Sequence, residues 1–208
     1  MSQRNAYIGS PVERVEDLRF LRGRGQYIDD FTKDGVLYAA ILRSQVAHGR
    51  LRRIDARAAL KLPGVHAILT AANLGPSVPT IPLRLQPMKE LEPFHQPVIA
   101  TDKVRYVGEP IAVVLAESAP EAEDALDHIE VAIDPLSAVV ERDAAIEGKS
   151  LLFEAMGSNR PVTYKVTRGD ADAAFRRAPY ARRERFAVQR HAAVPMEPRG
   201  LLAEWDNA

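Results

Sequence analysis

The chain contains no cysteine, which removes disulfides, thiolate nucleophiles, iron–sulfur ligation and cysteine-held zinc in one step. A reducing compartment fits that absence. It also lacks a charge of either sign in excess, because 28 Lys and Arg are balanced by 28 Asp and Glu. A bulk polycation that gathers phosphates is therefore excluded, and neither a nucleic-acid nor a membrane partner is expected. No stretch approaches the ~18 apolar residues of a membrane span. The longest clean run, Ile111 to Ala116, is strand-sized. The polar start from Met1 to Ile8 lacks the apolar core of ~7 to 15 residues that a secretory signal needs. These absences predict a cytoplasmic protein. What is present, 46% hydrophobic and 27% charged residues over 208 positions, supports a folded core. That length allows one large domain, or one domain with part of another.

Neither an internal repeat nor a low-complexity tract organises the chain, so the elements are read from where periodic segments begin and stop. Gly9, Pro11, Gly23, Gly25 and Gly35 punctuate an opening arm that carries one short turn around Glu16 to Leu21. Val36 to Arg43 reads as a buried strand, apolar on both faces. Asp55 is placed to cap a helix over 56–62, which Pro63 and Gly64 end. Val65 to Thr70 is a second strand. Six prolines between Pro76 and Pro97 exclude a helix interior or a central strand there, so a long loop is expected. Strands are predicted at 101–106 and 111–116 around the turn Val107 to Pro110. Ser118 and Glu121 have capping-box spacing, with Pro120 in the first turn. Ala122, Ala125, Leu126 and Ile129 come next at helical spacing and give one apolar stripe. Ile129 to Ile133 alternates as a strand. Beyond Gly148 the segment Gly157 to Asn159 is linker-like, Asp170 can cap a helix over 171–178, and strands are expected at 182–189 and 201–205. This order predicts an α+β (mixed α/β) layered fold. The final strand has nothing to pair with, so the region after about residue 150 is expected to be mobile in isolation.

The short motifs carry little chemistry. Gly23-Arg24-Gly25 has no glycine at position 28 and no preceding strand, so it fails as a dinucleotide fingerprint and suits a turn. His48, His66, His95, His128 and His191 show no paired metal-ligand spacing. Asp124 and His128 supply two ligands at most, fewer than a metal site takes, and suit a solvated pair. Ser44 lies near His48 without a nucleophile elbow. Glu90, Glu92 and His95 sit in the proline-rich loop, where acid–base work and simple loop solubility both explain them. Arg176, Arg177, Arg182, Arg183, Arg185 and Arg190 form a basic run. Phe175, Tyr180 and Phe186 beside it lack the order of an RNA-binding motif, which favours a charged face or an interface.

Longer motifs are more specific. Ile8-Gly9, Val12, Arg14, Glu16-Asp17, Arg19-Phe20-Leu21, Gly23, Gly25, Tyr27 and Asp29-Asp30 together resemble the opening of the large, molybdenum-binding subunit of the xanthine dehydrogenase / aldehyde oxidase / carbon monoxide dehydrogenase family. Collinear matches continue through Arg43-Ser44 to Ala47-His48, Ile54-Asp55, Pro63-Gly64-Val65, Leu69-Thr70 with Leu74, Val104 to Val114, Gly169-Asp170 to Phe175, and Pro195 to Gly200. The resemblance covers essentially the whole chain and is nearest the carbon monoxide dehydrogenase branch. It implies an N-terminal arm at 1–17, an α/β hammerhead domain at 18–147, and at 148–208 a linker with the incomplete start of the first molybdenum-cofactor-binding domain. It further implies a segment or split subunit of a molybdenum hydroxylase that buttresses the cofactor domain and substrate funnel. No catalytic, cofactor-binding or metal residue is carried over, and Glu197 is given a structural role. The molybdenum–pterin cofactor then belongs to the complete enzyme, with iron–sulfur clusters and FAD on partner subunits. The partners implied are the remaining large-subunit polypeptide, an iron–sulfur subunit and a flavin subunit. This chain alone is not expected to be active. A non-catalytic interaction module derived from the same fold is the alternative.

Overall fold

The computed structural model describes residues 11–82, 88–189, 191–197 and 199–206. Ile8, Gly9, Pro87, Arg190, Pro198, Asn207 and Ala208, which figure in the sequence reading, lie outside the described residues. The chain divides into one unit spanning Gly35–Tyr180 and a second made from Met1–Asp34 and Ala181–Ala208.

The larger unit is a mixed α and β structure built on two antiparallel sheets. Its strands are β1 (Tyr38–Arg43), β2 (Gly49–Asp55), β3 (Val65–Leu69), β4 (Lys103–Val104), β5 (Pro110–Ala116) and β6 (Glu130–Pro135). One sheet runs β1-β5-β3 and the other β4-β2-β6. Helix α1 (Asp17–Leu21) belongs to the smaller unit, and α2 (Ala119–Leu126), α3 (Arg142–Glu147) and α4 (Ala171–Arg177) to the larger one.

Strand β5 organises the larger unit because its apolar run serves both faces. Ala112, Val114 and Ala116 are fully buried in one cluster with Ala40 of β1 and Ile68 of β3. Ile111, at the opposite parity, joins Ala100 and Val104 in another. Ile54 of β2 and Val131 of β6 pack against both clusters. Each fully buried Val or Ile side chain contributes roughly 1.5–3 kcal/mol. Helix α2 lies on β1 and β5 through Ala122 and Ala125, whose small side chains let the helix approach closely. Its start is fixed chemically. The Ser118 hydroxyl accepts the Glu121 amide at 3.4 Å and donates to Glu121 Oε2 at 2.8 Å. Gly64 closes the turn before β3 at φ +75°, and its carbonyl accepts the Glu117 amide at 2.9 Å.

Several expected elements take another form. Asp55 does accept the Arg57 amide at 3.2 Å, but the next element is a single 3-10 turn, Ala59–Lys61. Pro63-Gly64 leaves too little length to repay helix nucleation. The strand expected at 101–106 shrinks to Lys103–Val104, because the amide of Arg105 is taken by the Glu109 carboxylate instead of a neighbouring strand. Strand β2 was not anticipated. A register shift between Leu51 and Arg53 places two consecutive residues out of alternation and hides the period of its apolar positions. Helix α3 was likewise missed, and the proline-rich loop contains a 3-10 stretch, Lys89–Phe94, with Leu91 buried. The strands expected at 182–189 and 201–205 are not formed among the described residues. They find no strand there to exchange backbone hydrogen bonds with.

The smaller unit is held by local polar contacts. Arg14 pairs with Glu16 and Asp17, Arg19 pairs with Glu16, and the Arg19 guanidinium lies 5.1 Å over the Phe20 ring. Phe20 stacks on Tyr27 with centroids 6.2 Å apart. A Cβ at Gly25 would stand 2.8 Å from the Phe20 ring, which is the reason for glycine at that point. Lys33 pairs with Glu204.

Candidate functional site

Four buried polar or charged residues, Ser44, His48, Lys103 and Glu109, stand out in a core that is otherwise apolar. They collect where β1, β2, β4 and β5 begin or end. Glu109 sits in the turn feeding β5 and its carbonyl accepts the Ser44 amide at 2.9 Å, while Gly108 donates to the Ser44 carbonyl at 2.7 Å. This double link ties the end of β1 to the start of β5. Gly108 at φ +91° permits the turn, and Arg43 Nη1 donates to its carbonyl at 2.9 Å.

The Glu109 carboxyl is fully buried. Oε2 accepts the Arg105 amide, whereas Oε1 has no hydrogen-bond partner among the described residues. Burial is the main cause that pushes this carboxyl above the ordinary range, opposed by the Arg105 amide and guanidinium. Tyr106 is pushed up by burial, with the Glu109 charge adding to it. His48 Nδ1 lies 2.8 Å from the Ser137 carbonyl. A carbonyl only accepts, so Nδ1 carries a hydrogen, and Nε2 has no hydrogen-bond partner among the described residues.

From the far end of β4, Lys103 reaches Glu154 and forms an ion pair whose lysine is buried and whose glutamate is half exposed. Its hydrogen bond is the main reason the Glu154 carboxyl is held below the ordinary range. Arg105, two residues on, donates from Nε to the Leu152 carbonyl at 2.9 Å and holds its guanidinium 4.6 Å over the Phe153 ring. Phe153 meets Phe94 edge-on, with centroids 5.5 Å apart. Sequence reasoning missed this group. Its one local signal is that Lys103 and Arg105 flank Val104 at strand spacing and so share a face.

The residues raised by the sequence reading are scattered. Ser44 and His48 are both buried, but the serine hydroxyl donates to the Val46 carbonyl at 2.7 Å and the histidine turns to Ser137, so no serine–histidine relay forms. Helix α2 ends at Leu126, which leaves His128 beyond it and apart from the face that bears Asp124. Among the described residues no three His, Asp or Glu side chains gather as metal ligands. Glu90 and Glu92 are exposed on the 3-10 stretch, and Glu197 is exposed. His66 pairs with Glu117 at 3.1 Å on the surface. Gly23 adopts φ +66°, as a turn requires. Arg176 and Arg177 close α4, and Arg182 pairs with Glu184. No described helix is long and apolar enough to cross a membrane.

The described residues form two antiparallel sheets backed by a short helix, followed by a segment with no buried residue. Comparison with known proteins gives the class. Residues 22–137 match the pattern described as "Aldehyde oxidase and xanthine dehydrogenase, a/b hammerhead domain", and residues 153–208 match "Molybdopterin cofactor-binding domain". The chain belongs to the aldehyde oxidase and xanthine dehydrogenase family of molybdenum hydroxylases.

It is 37% identical to the nicotine 6-hydroxylase large subunit of Paenarthrobacter nicotinovorans, over 96% of this chain and 24% of that protein. It is 33% identical to the carbon monoxide dehydrogenase large chain of Hydrogenophaga pseudoflava, over 92% of this chain and 25% of the relative. Among solved structures, reconstituted CO dehydrogenase from Oligotropha carboxidovorans superimposes with a TM-score of 0.59 at 37% identity, covering 68% of this chain and 17% of that one. The chain thus spans about a quarter of the length of the relatives it matches.

The family's molybdenum–pterin cofactor does not fit the residues at hand. No described residue between 151 and 206 is buried, whereas a bound pterin needs a concave, largely enclosed site. The described residues therefore form no cradle for it.

Proposed function

We propose that this chain is the N-terminal piece, or a split subunit, of a molybdenum hydroxylase, and that it buttresses the cofactor domain and shapes the substrate funnel without supplying catalytic residues. In this reading residues 1–17 are an arm, 18–147 the hammerhead domain, and 148–208 a linker with the opening of the first cofactor domain. One observation carries it. In the segment that matches the molybdopterin cofactor-binding pattern, Phe186, Val188, Met196, Leu201 and Trp205 are each more than four-fifths exposed. Apolar and aromatic side chains of that size left so exposed support a surface that another polypeptide covers. The polypeptide proposed is the remaining large-subunit sequence, which would hold the molybdenum–pterin cofactor. Iron–sulfur and FAD subunits would carry the electrons away, in a cytoplasmic complex. The cofactor carries the redox chemistry. What this chain contributes is rigidity and exclusion of water at the face of the cofactor domain.

The test is to isolate the tagged chain from its native host and analyse the same eluate for proteins and molybdenum. Molybdenum arriving with a polypeptide that matches the rest of the large subunit supports the proposal. An eluate with neither overturns it in favour of an interaction module.

A further inference from the structure

We propose that Lys103 and Arg105 form an internal latch: they hold residues 150–159 against the end of β4, and so fix the point from which the chain enters the segment matched by the molybdopterin pattern. No strand pairing and no fully buried side chain holds residues 150–159 among the described residues, so the segment is held by side-chain contacts, with the charged groups of β4 at their centre beside the Phe94–Phe153 ring contact. Lys103 is the anchor. A lysine ammonium taken out of water persists there only when paired, and Glu154, from 51 residues further along, is its partner. Arg105 adds a hydrogen bond to the Leu152 carbonyl and a stacked guanidinium on Phe153. Asn159 closes the segment on itself and on α3. Its Oδ1 accepts the Leu152 amide at 2.9 Å, and Nδ2 donates to the Ser150 and Ala145 carbonyls at 2.7 and 3.2 Å. Both amide hydrogens and the oxygen of this side chain are thus used.

The arrangement spans two matched regions. Lys103, Arg105 and Phe94 lie within the hammerhead match, while Phe153, Glu154 and Asn159 lie within the molybdopterin match. A solvated charge pair would not explain it, because the lysine is only 3% exposed. Nor is the contact a general source of stability, since a buried ion pair returns little net energy while specifying one geometry. Lys103 and Arg105 act as positioning residues. Their use in seating a cofactor domain rests on the function proposed above, but the latch itself is a property of this chain and is judged separately.

The experiment is site-resolved hydrogen exchange on the full 208-residue chain, comparing wild type, K103M and E154Q. E154Q changes only the half-exposed partner, so it keeps the test valid if K103M folds poorly. Both variants are expected to speed exchange at Leu152, Met156 and Gly157 by about tenfold, an opening-energy change of about 1.4 kcal/mol. Amides of β5 should stay within about twofold of wild type. A pH profile separates a latch from plain packing. After correction for intrinsic rates, wild-type exchange in 150–159 should rise on acidification as Glu154 takes up a proton, with Lys103 and Arg50 the charges facing it. In E154Q that pH dependence should be gone. Unchanged exchange in both variants, or an equal rise in β5, overturns the proposal. Failure of the isolation experiment would overturn the assigned function and leave this result standing.

Discussion

Replacing Gly64 with alanine probes the junction between β3 and α2. A Cβ at this position faces two separate penalties. The backbone sits at φ +75°, where a residue with a Cβ costs about 1–2 kcal/mol more than glycine. The new methyl would also stand 2.6–2.7 Å from the Glu121 carboxylate. That carboxylate is the far end of a flexible chain and can swing away, but it then gives up the Ser118 hydroxyl that donates to it at 2.8 Å. Losing a partly buried hydrogen bond of this kind costs about 0.5–1.5 kcal/mol. G64A should therefore lose about 1.5–3.5 kcal/mol in total, or about 3–14 °C in Tm for a chain of this size. Urea unfolding monitored by far-UV circular dichroism gives the free energies. In an E121A background the steric part disappears and only the backbone part remains, so the same substitution should cost about 1–2 kcal/mol there. A G64A variant within about 0.5 kcal/mol of wild type would refute the reasoning. So would an equal cost in both backgrounds, because the carboxylate contact would then carry nothing.

Three other outcomes rest on packing, capping and burial described above. Ile111→Ala removes a side chain that is 2% exposed between the two sheets, and should cost about 2–5 kcal/mol in urea unfolding. Ser118→Ala deletes the α2 cap and should cost about 1 kcal/mol, with the loss confined to exchange of the first helical turn. Glu109→Gln is a pH experiment. Because burial raises its folded-state pKa above the unfolded value, the native chain keeps a proton that the unfolded chain has released, so the favourable contribution exists at low pH and is lost as pH rises through the folded value. The wild-type advantage over E109Q should shrink as pH rises above the ordinary glutamate range, and parallel stability curves there would contradict the assignment.

Much of the scaffold was legible because its signals are local. The run from Ile111 to Ala116 is apolar at every position and became β5. Ser118, Pro120 and Glu121 announced the start of α2, and Asp170 that of α4, where its carboxylate accepts the Ala173 amide at 2.8 Å. The collinear motifs of the arm and of Val104 to Val114 pointed to the family that the comparisons then established. What escaped was non-local. Strand β2 carries Arg50, Arg52 and Arg53 and a bulge, so its pairing with β6 left no clean alternation to read. Segments 182–189 and 201–205 have strand composition, yet pairing depends on a neighbour and not on composition. The latch joins residues about 50 positions apart, and nothing in the spacing of Lys103 and Glu154 marks them as partners.

The two faces of β5 have a bearing on how the larger unit comes apart. One set of its side chains closes the layer beneath α2 and the other reaches into the layer bounded by β4. A single strand is therefore common property of both layers, and neither can melt while the other keeps its full complement of neighbours. Denaturation of residues 35–135 should accordingly proceed in one cooperative transition, with calorimetric and van't Hoff enthalpies in agreement. A lesion at the surface of one sheet would then be felt as a lower melting point for both.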